Sequence, residues 1–330
     1  MTDVSIIIVN YHSAQMVIDC VESVESHTRG LDYELFIVDN ESTEQEREAF
    51  RHVLGDRVLV IPSESNLGFG KANNLGAASA AGKYLFLLNP DTILMNNAVK
   101  ALFDYLELHP EAGAAGGNLF APDRTPTGSF CQSFDCPEQE KDASRWSTIL
   151  KKKVRQKRGS ADGRPFASSF NYSGRPMKVA YIYGADMMLP RALFEELGGF
   201  DPDFFMYAEE EELSWRITQK GYEIISVPDA EIIHLEGATM KSGAVFHEPQ
   251  FRMRMNGKLL FFKKCYGIDG MKTFYQYRRR LYERLIRFAV LRGRKPGSTL
   301  ASQMLNCLNE EYQKMTASKA DRKVYHGGDQ

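Results

Sequence analysis

Four consecutive glutamates occupy positions 209–212, between the apolar sequence FFMY and the apolar sequence LSW. Carboxyl groups crowded beside buried aromatic side chains have raised pKa values, because burial and mutual repulsion both disfavour the charged form. Such groups cluster where acid–base chemistry takes place. If a helix begins near Glu209, Glu212 pairs with Arg216 one turn later and the helix dipole offsets part of the repulsion. This pairing explains Glu212 and leaves Glu209 and Glu210 to be explained by function.

Polar residues follow the apolar runs of the first ninety residues. Asn, Asp and Pro favour ordinary turns, so one such strand end carries little weight. The carboxyl ends of parallel strands, however, meet at one edge of a sheet, where ligands bind. The repetition therefore predicts a polar pocket at that edge. The residues concerned are Asn10, Tyr11, Asp39, Asn40, Asn66, Asn89 and Asp91.

The apolar runs alternate with helical patterns. Each run is short and continuous, as is typical of parallel strands buried on both faces. Ser13 is expected to cap the first helix, whose apolar positions follow helical spacing. This alternation predicts an α/β fold with a mostly parallel, doubly wound sheet and right-handed crossovers. The predicted strands are 4–9, 35–38, 58–61 and 84–88, and the predicted helices follow Ser13, span 43–54 and run from about 70 to 81.

The later part of the chain is less regular. A helix is predicted over 99–106 and is closed by 110–117, and residues 121–178, rich in Pro, Ser and charge, predict a long excursion over the active-site face. Gly198 and Gly199 are expected to end a helix over 191–197. After about residue 243 the pattern becomes helical and basic. Further predicted strands are 179–189, 222–227 and 232–233.

The bulk composition bounds the class of protein. Of 330 residues, 43% are hydrophobic and 25% charged, as in ordinary globular proteins, and the net charge of -2 argues against a general nucleic-acid binder. Five cysteines without a Cys-x-x-Cys pair favour reduced thiols over disulfides or a zinc site. The N-terminus lacks a basic signal region, and no apolar run approaches the ~18 residues of a membrane span. We expect a cytoplasmic protein, or one lying on the inner face of the cell membrane.

Ordered motifs across residues 4–240 resemble the family 2 glycosyltransferases, and the pattern is similar to their bacterial rhamnosyltransferase-like members. The resemblance implies a GT-A fold and metal-dependent, inverting transfer of a sugar from a dTDP- or UDP-sugar, such as dTDP-rhamnose. The acceptor would be a hydroxyl of a glycan or of a polyprenyl-diphosphate-linked lipid in cell-surface polysaccharide synthesis. The motifs are VSIIIVNY from Val4, IVDNES from Ile37, NLGFGKANN from Asn66, LLNPDT from Leu87, GGFD from Gly198, FFMY from Phe204, the glutamates, WR from Trp215, and His234.

The resemblance also implies a divalent metal, Mn²⁺ or Mg²⁺, that stabilises the diphosphate leaving group. Hard cations take oxygen ligands. The family usually supplies an Asp-x-Asp after the fourth strand, whereas this chain has Asn89 and Asp91 there, so only Asp91 remains as an acidic ligand. His234 matches a C-terminal metal-ligand histidine of the family. A structural histidine at a strand end is the competing explanation.

Nucleotide-sugar binding falls by resemblance on several matching positions. Asp39 would accept a hydrogen bond from the nucleobase, and the loop that precedes a helix at Gly68 and Phe69 suits a phosphate. Asp186 matches a position that contacts the donor sugar, with a packing role equally open. The full set is Asn10, Tyr11, Asp39, Asn40, Asn66, Gly68, Phe69, Lys71, Asn89 and Asp186.

The family's general base corresponds to Glu210, with Glu209 as the candidate if the register differs by one residue. Glu stands where Asp is usual, which extends the carboxylate by one methylene. A base must come within about 2.6–3.2 Å of the group it deprotonates, so the backbone should lie further back. The altered metal motif keeps an alternative open, a catalytically degenerate scaffold at the membrane surface that retains the fold.

The resemblance predicts a GT-A catalytic domain over residues 1–240, followed by a basic helical region over 241–330. The nucleotide-sugar half of the first spans about 1–118 and the acceptor half about 119–240. Within the basic region, seven arginines lie in residues 272–295, with apolar Leu281, Leu285, Phe288 and Ala289 at helical spacing. Such a helix either lies on an anionic membrane or packs its apolar stripe on the catalytic domain.

Overall fold

The computed structural model describes residues 2–143, 169–235 and 246–317. The strands are β1 Val4–Asn10, β2 Tyr33–Asn40, β3 Leu59–Ser63, β4 Tyr84–Leu88, β5 Thr92–Leu94, β6 Ala112–Phe120, β7 Phe130–Cys131, β8 Met177–Val179, β9 Tyr181–Ile182, β10 Asp186–Pro190 and β11 Glu223–His234. The helices are α1 Ala14–His27, α2 Glu44–Leu54, α3 Phe69–Ala77, α4 Ala98–Leu108, α5 Pro137–Ala143, α6 Arg191–Glu196, α7 Glu209–Gln219, α8 Glu248–Val290 and α9 Leu300–Thr316.

The main sheet follows the order β3-β2-β1-β4-β10-β6-β11-β5, with β8 also paired to β11. Strands β1 to β4 run parallel, as predicted. Strand β10 enters antiparallel between β4 and β6, and β5 pairs antiparallel with β11, so the sheet as a whole is mixed. Every residue of β1 is buried, which explains its continuous apolar sequence.

Helices cover both faces of this sheet. Ile6 and Ile8 of β1 share one buried cluster with Val17 and Val21 of α1, two of the apolar positions expected on that helix. Ile7 belongs to a second cluster with residues of α3, α6 and α7. The two clusters are the two layers of a doubly wound core.

Strand β6 corrects the prediction that residues 110–117 only close a helix. Its sequence, AGAAGGNLF, lacks the β-branched residues that identify strands. Small residues are needed there because a Cβ at Gly116 would collide with Ile182, and one at Gly117 with Ala230. Tertiary packing therefore overrides local propensity at this strand.

Other boundaries differ in detail. The predicted strand 179–189 is three short strands, β8 to β10, and the two predicted strands 222–227 and 232–233 are one strand, β11, with an irregular register between Ser226 and Glu231. Ser13 does precede α1, but its side chain makes no capping bond and its hydroxyl donates instead to Asn10 Oδ1 at 2.9 Å. Of the predicted excursion over 121–178, residues 144–168 lie outside the described residues.

The described residues form two compact units, one of 2–134, 169–205 and 209–235, and one of 135–143, 206–208 and 246–317. The second unit is helical. Its helix α8 breaks at Gly267, where φ is 72°, and the ring of Tyr275 stacks on Tyr312 of α9 at 3.8 Å. The predicted apolar stripe of α8 is half-buried, and Tyr282, next to Leu281 of the stripe, is buried. Within the described part of the chain, none of the helices combines the length and apolar character needed to cross a membrane.

Candidate active site

Asp91 and His234 meet at one edge of the sheet. The carboxylate Oδ1 lies 3.3 Å from the imidazole Nε2, with both side chains partly accessible to solvent. The meeting is fixed by the backbone, because β5 begins at Thr92, directly opposite His234 in the last position of β11. The amide of Leu235 also donates to the Asp91 carbonyl at 2.8 Å. The fold thus brings together Asp91 and His234, which lie far apart in the sequence.

The chemistry of this pair fits a divalent cation. A carboxylate oxygen and an imidazole nitrogen are both accepted ligands of Mn²⁺, and the carboxylate of Mg²⁺. No cluster of three or more His, Cys, Asp or Glu able to hold a metal occurs among the residues described. Cations in phosphate-transfer sites commonly have only one or two protein ligands and complete their shell with substrate phosphates and water. Asp91 and His234 therefore suit a metal that arrives with a diphosphate.

Asp186 lies beside this pair, at the start of β10 and opposite Leu88 of β4. Its side chain is fully buried, with Oδ2 accepting the Gly117 amide at 2.5 Å. Its Oδ1 has no hydrogen-bond partner among the described residues. Burial raises the pKa of Asp186 to about 8, although the Gly117 bond and the charge of His234 act in the opposite direction. Asp186 is therefore a largely protonated acid at neutral pH.

Asn89 connects the Asp91 turn to the same strand. Its backbone amide donates to the Ala185 carbonyl at 2.9 Å, and its carbonyl accepts the Thr92 hydroxyl at 2.7 Å. The segment 184–186 is thereby fixed against the end of β4. The predicted residues Asn89, Asp91, Asp186 and His234 consequently form one neighbourhood.

The glutamates fill the first turn of α7, as the sequence predicted. Arg216 donates from Nε and one terminal nitrogen to the two oxygens of Glu212, each at 2.7 Å. Glu209 is buried, and its Oε2 has no hydrogen-bond partner in the part of the chain described. Burial first, and the neighbouring Glu210 second, raise the pKa of Glu209 well above its usual range.

Glu210 differs from the other three glutamates because it is only half-buried. A Cβ built on Gly184 would lie 3.9 Å from the Glu210 Cβ, so the side chain of Glu210 begins next to the 184–186 segment. Immediately before α7, Tyr207 and Ala208 have φ values of 72° and 71°. Left-handed backbone costs roughly 1–2 kcal/mol for a residue with a side chain, and such strain clusters at functional sites.

Two predicted nucleotide-binding residues, Asn10 at the end of β1 and Asp39 in β2, are connected through Ser42. Asp39 is fully buried; its Oδ2 accepts Nε of Arg47 at 2.6 Å and its Oδ1 accepts the Ser42 amide at 3.2 Å. The Asn10 amide group donates to Ser42 Oγ at 2.5 Å. Tyr11, by contrast, is 48% exposed. Sequence reasoning did not single out Arg47, although its position in the first turn of the helix after Asp39 was a usable signal.

The loop before α3 is closed by similar bonds. Asn40 donates to Asn66 Oδ1 at 2.9 Å and accepts the Leu67 amide at 2.7 Å. Gly68 has a φ of 78°, and a side chain there would collide with the Phe205 carbonyl. Two amides proposed for a phosphate are already bonded: Gly68 donates to Asn66 Oδ1 at 2.9 Å and Phe69 to the Phe205 carbonyl at 3.1 Å. Lys71, half-buried on the first turn of α3, contributes a positive charge nearby.

A family model described as glycosyl transferase family 2 matches residues 5–175, more than half of the chain. The chain belongs to glycosyl transferase family 2. It is 29% identical over 194 residues to an N-acetylglucosaminyl-diphospho-decaprenol L-rhamnosyltransferase of Mycobacterium tuberculosis, a match covering 54% of this chain and 58% of the relative. It is 24% identical over 207 residues to the O-antigen chain rhamnosyltransferase WbaN of Salmonella anatum, covering 62% and 58%. The chain thus spans less than two thirds of the length of these relatives.

Solved structures show the same GT-A fold. One is GalNAc-T7 with UDP, GalNAc and Mn²⁺, with a TM-score of 0.57 and 16% identity over 99% of this chain and 58% of that one. Another is the mannosyltransferase PcManGT of Pyrobaculum calidifontis with GDP-Man and Mn²⁺, with a TM-score of 0.51 and 14% identity over 98% and 78%. At such low identity the likeness concerns the fold. In this family 2 chain, the predicted metal residues and the acidic helix both adjoin the segment 184–186.

Proposed function

We propose that this chain is a metal-dependent, inverting glycosyltransferase whose donor is a dTDP- or UDP-sugar, with dTDP-rhamnose the first candidate. The acceptor we propose is a hydroxyl of a polyprenyl-diphosphate-linked or other glycan in cell-surface polysaccharide synthesis. The observation that carries the proposal is the shared position of the Asp91–His234 pair and Glu210 beside segment 184–186. The pair adjoins it through the bond from Asn89 to Ala185, and Glu210 through its approach to Gly184.

In this proposal the ends of β1 and β2 bind the nucleotide and the edge at β5 binds the diphosphate. Asp39 would face the nucleobase, with Arg47 holding its carboxylate in place. Asp91 and His234 would hold Mn²⁺ or Mg²⁺, which supplies stabilisation of the charge that develops on the leaving diphosphate. Asp186, largely protonated, would offer its unpaired oxygen as a hydrogen-bond donor to the sugar or diphosphate.

Glu210 is the proposed general base. It would accept the proton of the acceptor hydroxyl as that oxygen bonds to the anomeric carbon, on the face opposite the breaking bond to the diphosphate. Glu209 would assist because burial raises the pKa of its carboxyl, which favours the neutral form and reduces repulsion of the charge on Glu210. The rhamnosyltransferase relatives support this class of reaction, and the solved GT-A structures with Mn²⁺ support the metal.

Calorimetry tests the proposal directly. UDP, dTDP and GDP are titrated into the protein with Mn²⁺, with Mg²⁺ and with EDTA. We expect one nucleotide to bind only when the metal is present, which would also identify the class of donor. If a folded protein binds none of the three, the degenerate scaffold becomes the better interpretation.

One exposed surface of the chain supports the proposal that the acceptor lies in a membrane. We define the α8–α9 tip as Val290, Leu291, Arg292, Arg294, Lys295 and Leu300. Leu291 is 85% exposed and Leu300 is 52% exposed, and no acidic residue occurs between Glu283 and Glu310. Aliphatic side chains surrounded by cations suit an anionic lipid surface, where each cation contributes about 1 kcal/mol. We propose this tip, rather than the half-buried stripe of α8, as the membrane contact.

Sedimentation with vesicles checks this contact. Replacing Arg292, Arg294 and Lys295 by Gln should weaken binding to phosphatidylglycerol vesicles roughly 100-fold at low salt. Leu291→Glu should weaken it further, whereas Leu108→Glu, at a residue 77% exposed at the end of α4, should not. Equal sedimentation of all variants, or of the wild type with neutral and anionic vesicles, would contradict the proposal.

A further inference from the structure

Almost every glycine in the described residues has a structural reason to be glycine. Either its φ is in the left-handed region or an added Cβ would come closer than 3.0 Å to a neighbouring atom. Gly184 and Gly297 are the exceptions among the described glycines. Gly297 lies in an exposed turn with nothing within 4 Å of its added Cβ, so it needs no explanation. Gly184 needs one, because it lies beside the proposed base.

The surroundings of Gly184 would accept a side chain as far as the fold is concerned. An added Cβ would be 3.5 Å from two ring atoms of Phe69 and 3.9 Å from the Cβ of Glu210, which are ordinary van der Waals distances. The backbone there is not in the left-handed region. Neither packing nor conformation therefore excludes alanine, and a reason outside the fold is required.

The position of Gly184 supplies such a reason. One residue later, the Ala185 carbonyl accepts the amide of Asn89, two residues before the proposed metal ligand Asp91. On its other side are the Phe69 ring and the first atoms of the Glu210 side chain. Gly184 thus lies between the groups proposed to hold the diphosphate and the group proposed to remove the acceptor proton. In a transferase, that is where the reacting sugar must lie.

We propose that Gly184 is a specificity-determining residue, because the absence of a side chain there leaves the Phe69 ring and the Glu210 side chain accessible to a pyranose ring. The inference rests on the proposed function. The apolar ring of Phe69 offers a surface for the C–H face of a sugar, while Glu210 reaches a hydroxyl within about 2.6–3.2 Å. A side chain at position 184 would lie against Phe69 and beside Glu210, and it would displace the sugar ring from the base. The ring is either that of the donor sugar or that of the acceptor.

The test compares Gly184→Ala and Gly184→Val with the matched control Gly297→Val. Gly184→Ala and Gly297→Val should unfold at nearly the wild-type temperature, and all three variants should bind the free nucleoside diphosphate with unchanged affinity. We expect kcat/KM for transfer to fall in the order wild type, Gly184→Ala, Gly184→Val, with the last lower by about 100-fold, because misplacement of about 1 Å has this effect. Gly297→Val should leave hydrolysis of the donor, measured without membranes, unchanged.

Two measurements identify the ring. If the ring belongs to the donor, the wild type should bind dTDP-rhamnose and dTDP with different affinities, whereas Gly184→Val should bind the two equally. Hydrolysis of the donor by Gly184→Val should also be slower. If it belongs to the acceptor, these remain unchanged and the KM for a short-chain N-acetylglucosaminyl-diphospho-polyprenol rises. Either result supports the assignment.

Wild-type transfer by Gly184→Val, or unfolding of Gly184→Ala at a much lower temperature, would overturn the assignment while leaving the proposed function intact. A wild-type protein without nucleotide binding or transfer would overturn both.

Discussion

Two regions of the same sheet edge differ in how completely their polar groups are hydrogen-bonded. At the end proposed to bind the nucleotide, Asp39, Asn40 and Asn66 are joined to neighbours by hydrogen bonds of 2.6–3.2 Å. At the end proposed to carry out transfer, Asp186 and Glu209 each have one buried carboxyl oxygen without a partner in the described residues. These are the only buried carboxyl oxygens in that condition among the residues described. The first region is complete without a ligand and the second is not.

The carboxyl oxygens without partners mark where the fold is under strain. A buried polar atom without a partner destabilises a protein by about 1–3 kcal/mol, and the left-handed backbone at Tyr207 and Ala208 adds to this cost beside α7. Such groups persist where a ligand completes them. The proposed nucleotide end is thus held by its own hydrogen bonds, and the proposed transfer end is where we expect substitutions to change the reaction.

The largest effect expected is that of Glu210→Gln. A general base contributes about 10²–10⁴-fold to a rate, so transfer should fall by that factor while donor affinity is retained. The measurement is single-turnover transfer alongside calorimetric donor binding.

Glu209→Gln is the matched control, since Glu209 is expected to hold its proton already. It should retain most of the activity. If Glu209→Gln abolishes transfer and Glu210→Gln does not, the roles of the two residues are reversed.

The proposed metal ligands come next. Asp91→Asn and His234→Ala should each weaken metal-stimulated nucleotide binding by at least about 10–100-fold, a range typical even for groups that only support a ligand. In EDTA, the variants and the wild type should bind the nucleotide equally. Nucleotide affinity that responds to Mn²⁺ as strongly in both variants as in the wild type would show that the pair does not hold the metal.

Sequence reasoning succeeded where chemistry and periodicity coincide and failed where packing decides. The four parallel strands and the Glu212–Arg216 pair followed from apolar runs and helical spacing. Strand β6 was missed because its residues must be small to avoid collisions with Ile182 and Ala230, which lie far away in the chain. The approach of His234 to Asp91 followed from family resemblance, since no local pattern places the last residue of β11 opposite β5. The bond between Arg47 and Asp39 was also missed, although Arg47 lies in the first turn of the helix that follows Asp39.

Substituting a buried polar residue usually lowers the free energy of unfolding, whereas Asp186→Asn should raise it relative to the wild type as the pH rises. The carboxyl has a pKa of about 8 in the folded protein and about 4 unfolded, so the folded state holds the extra proton between these values. The contribution of Asp186 to wild-type stability is therefore most favourable below pH 4 and falls as the pH rises towards 8. Denaturation in EDTA should show the asparagine variant losing at least ~2 kcal/mol less than the wild type between pH 5 and pH 8. If the free energies of unfolding of the variant and the wild type changed equally with pH, the raised pKa assigned to Asp186 would be contradicted.

Asn40→Ala provides the smallest effect and the opposite sign. Removing this amide leaves the Leu67 amide and Asn66 Oδ1 without the bonds they now make, so the free energy of unfolding should fall by about 1–2 kcal/mol. The loss should be the same at pH 5 and pH 8, because no titrating group is removed. Saturating donor should restore kcat, since the variant disturbs only the nucleotide support. A kcat that falls as far as in Glu210→Gln would mean that the two ends of the sheet edge are not separable, because a change in the support would then act directly on the chemistry.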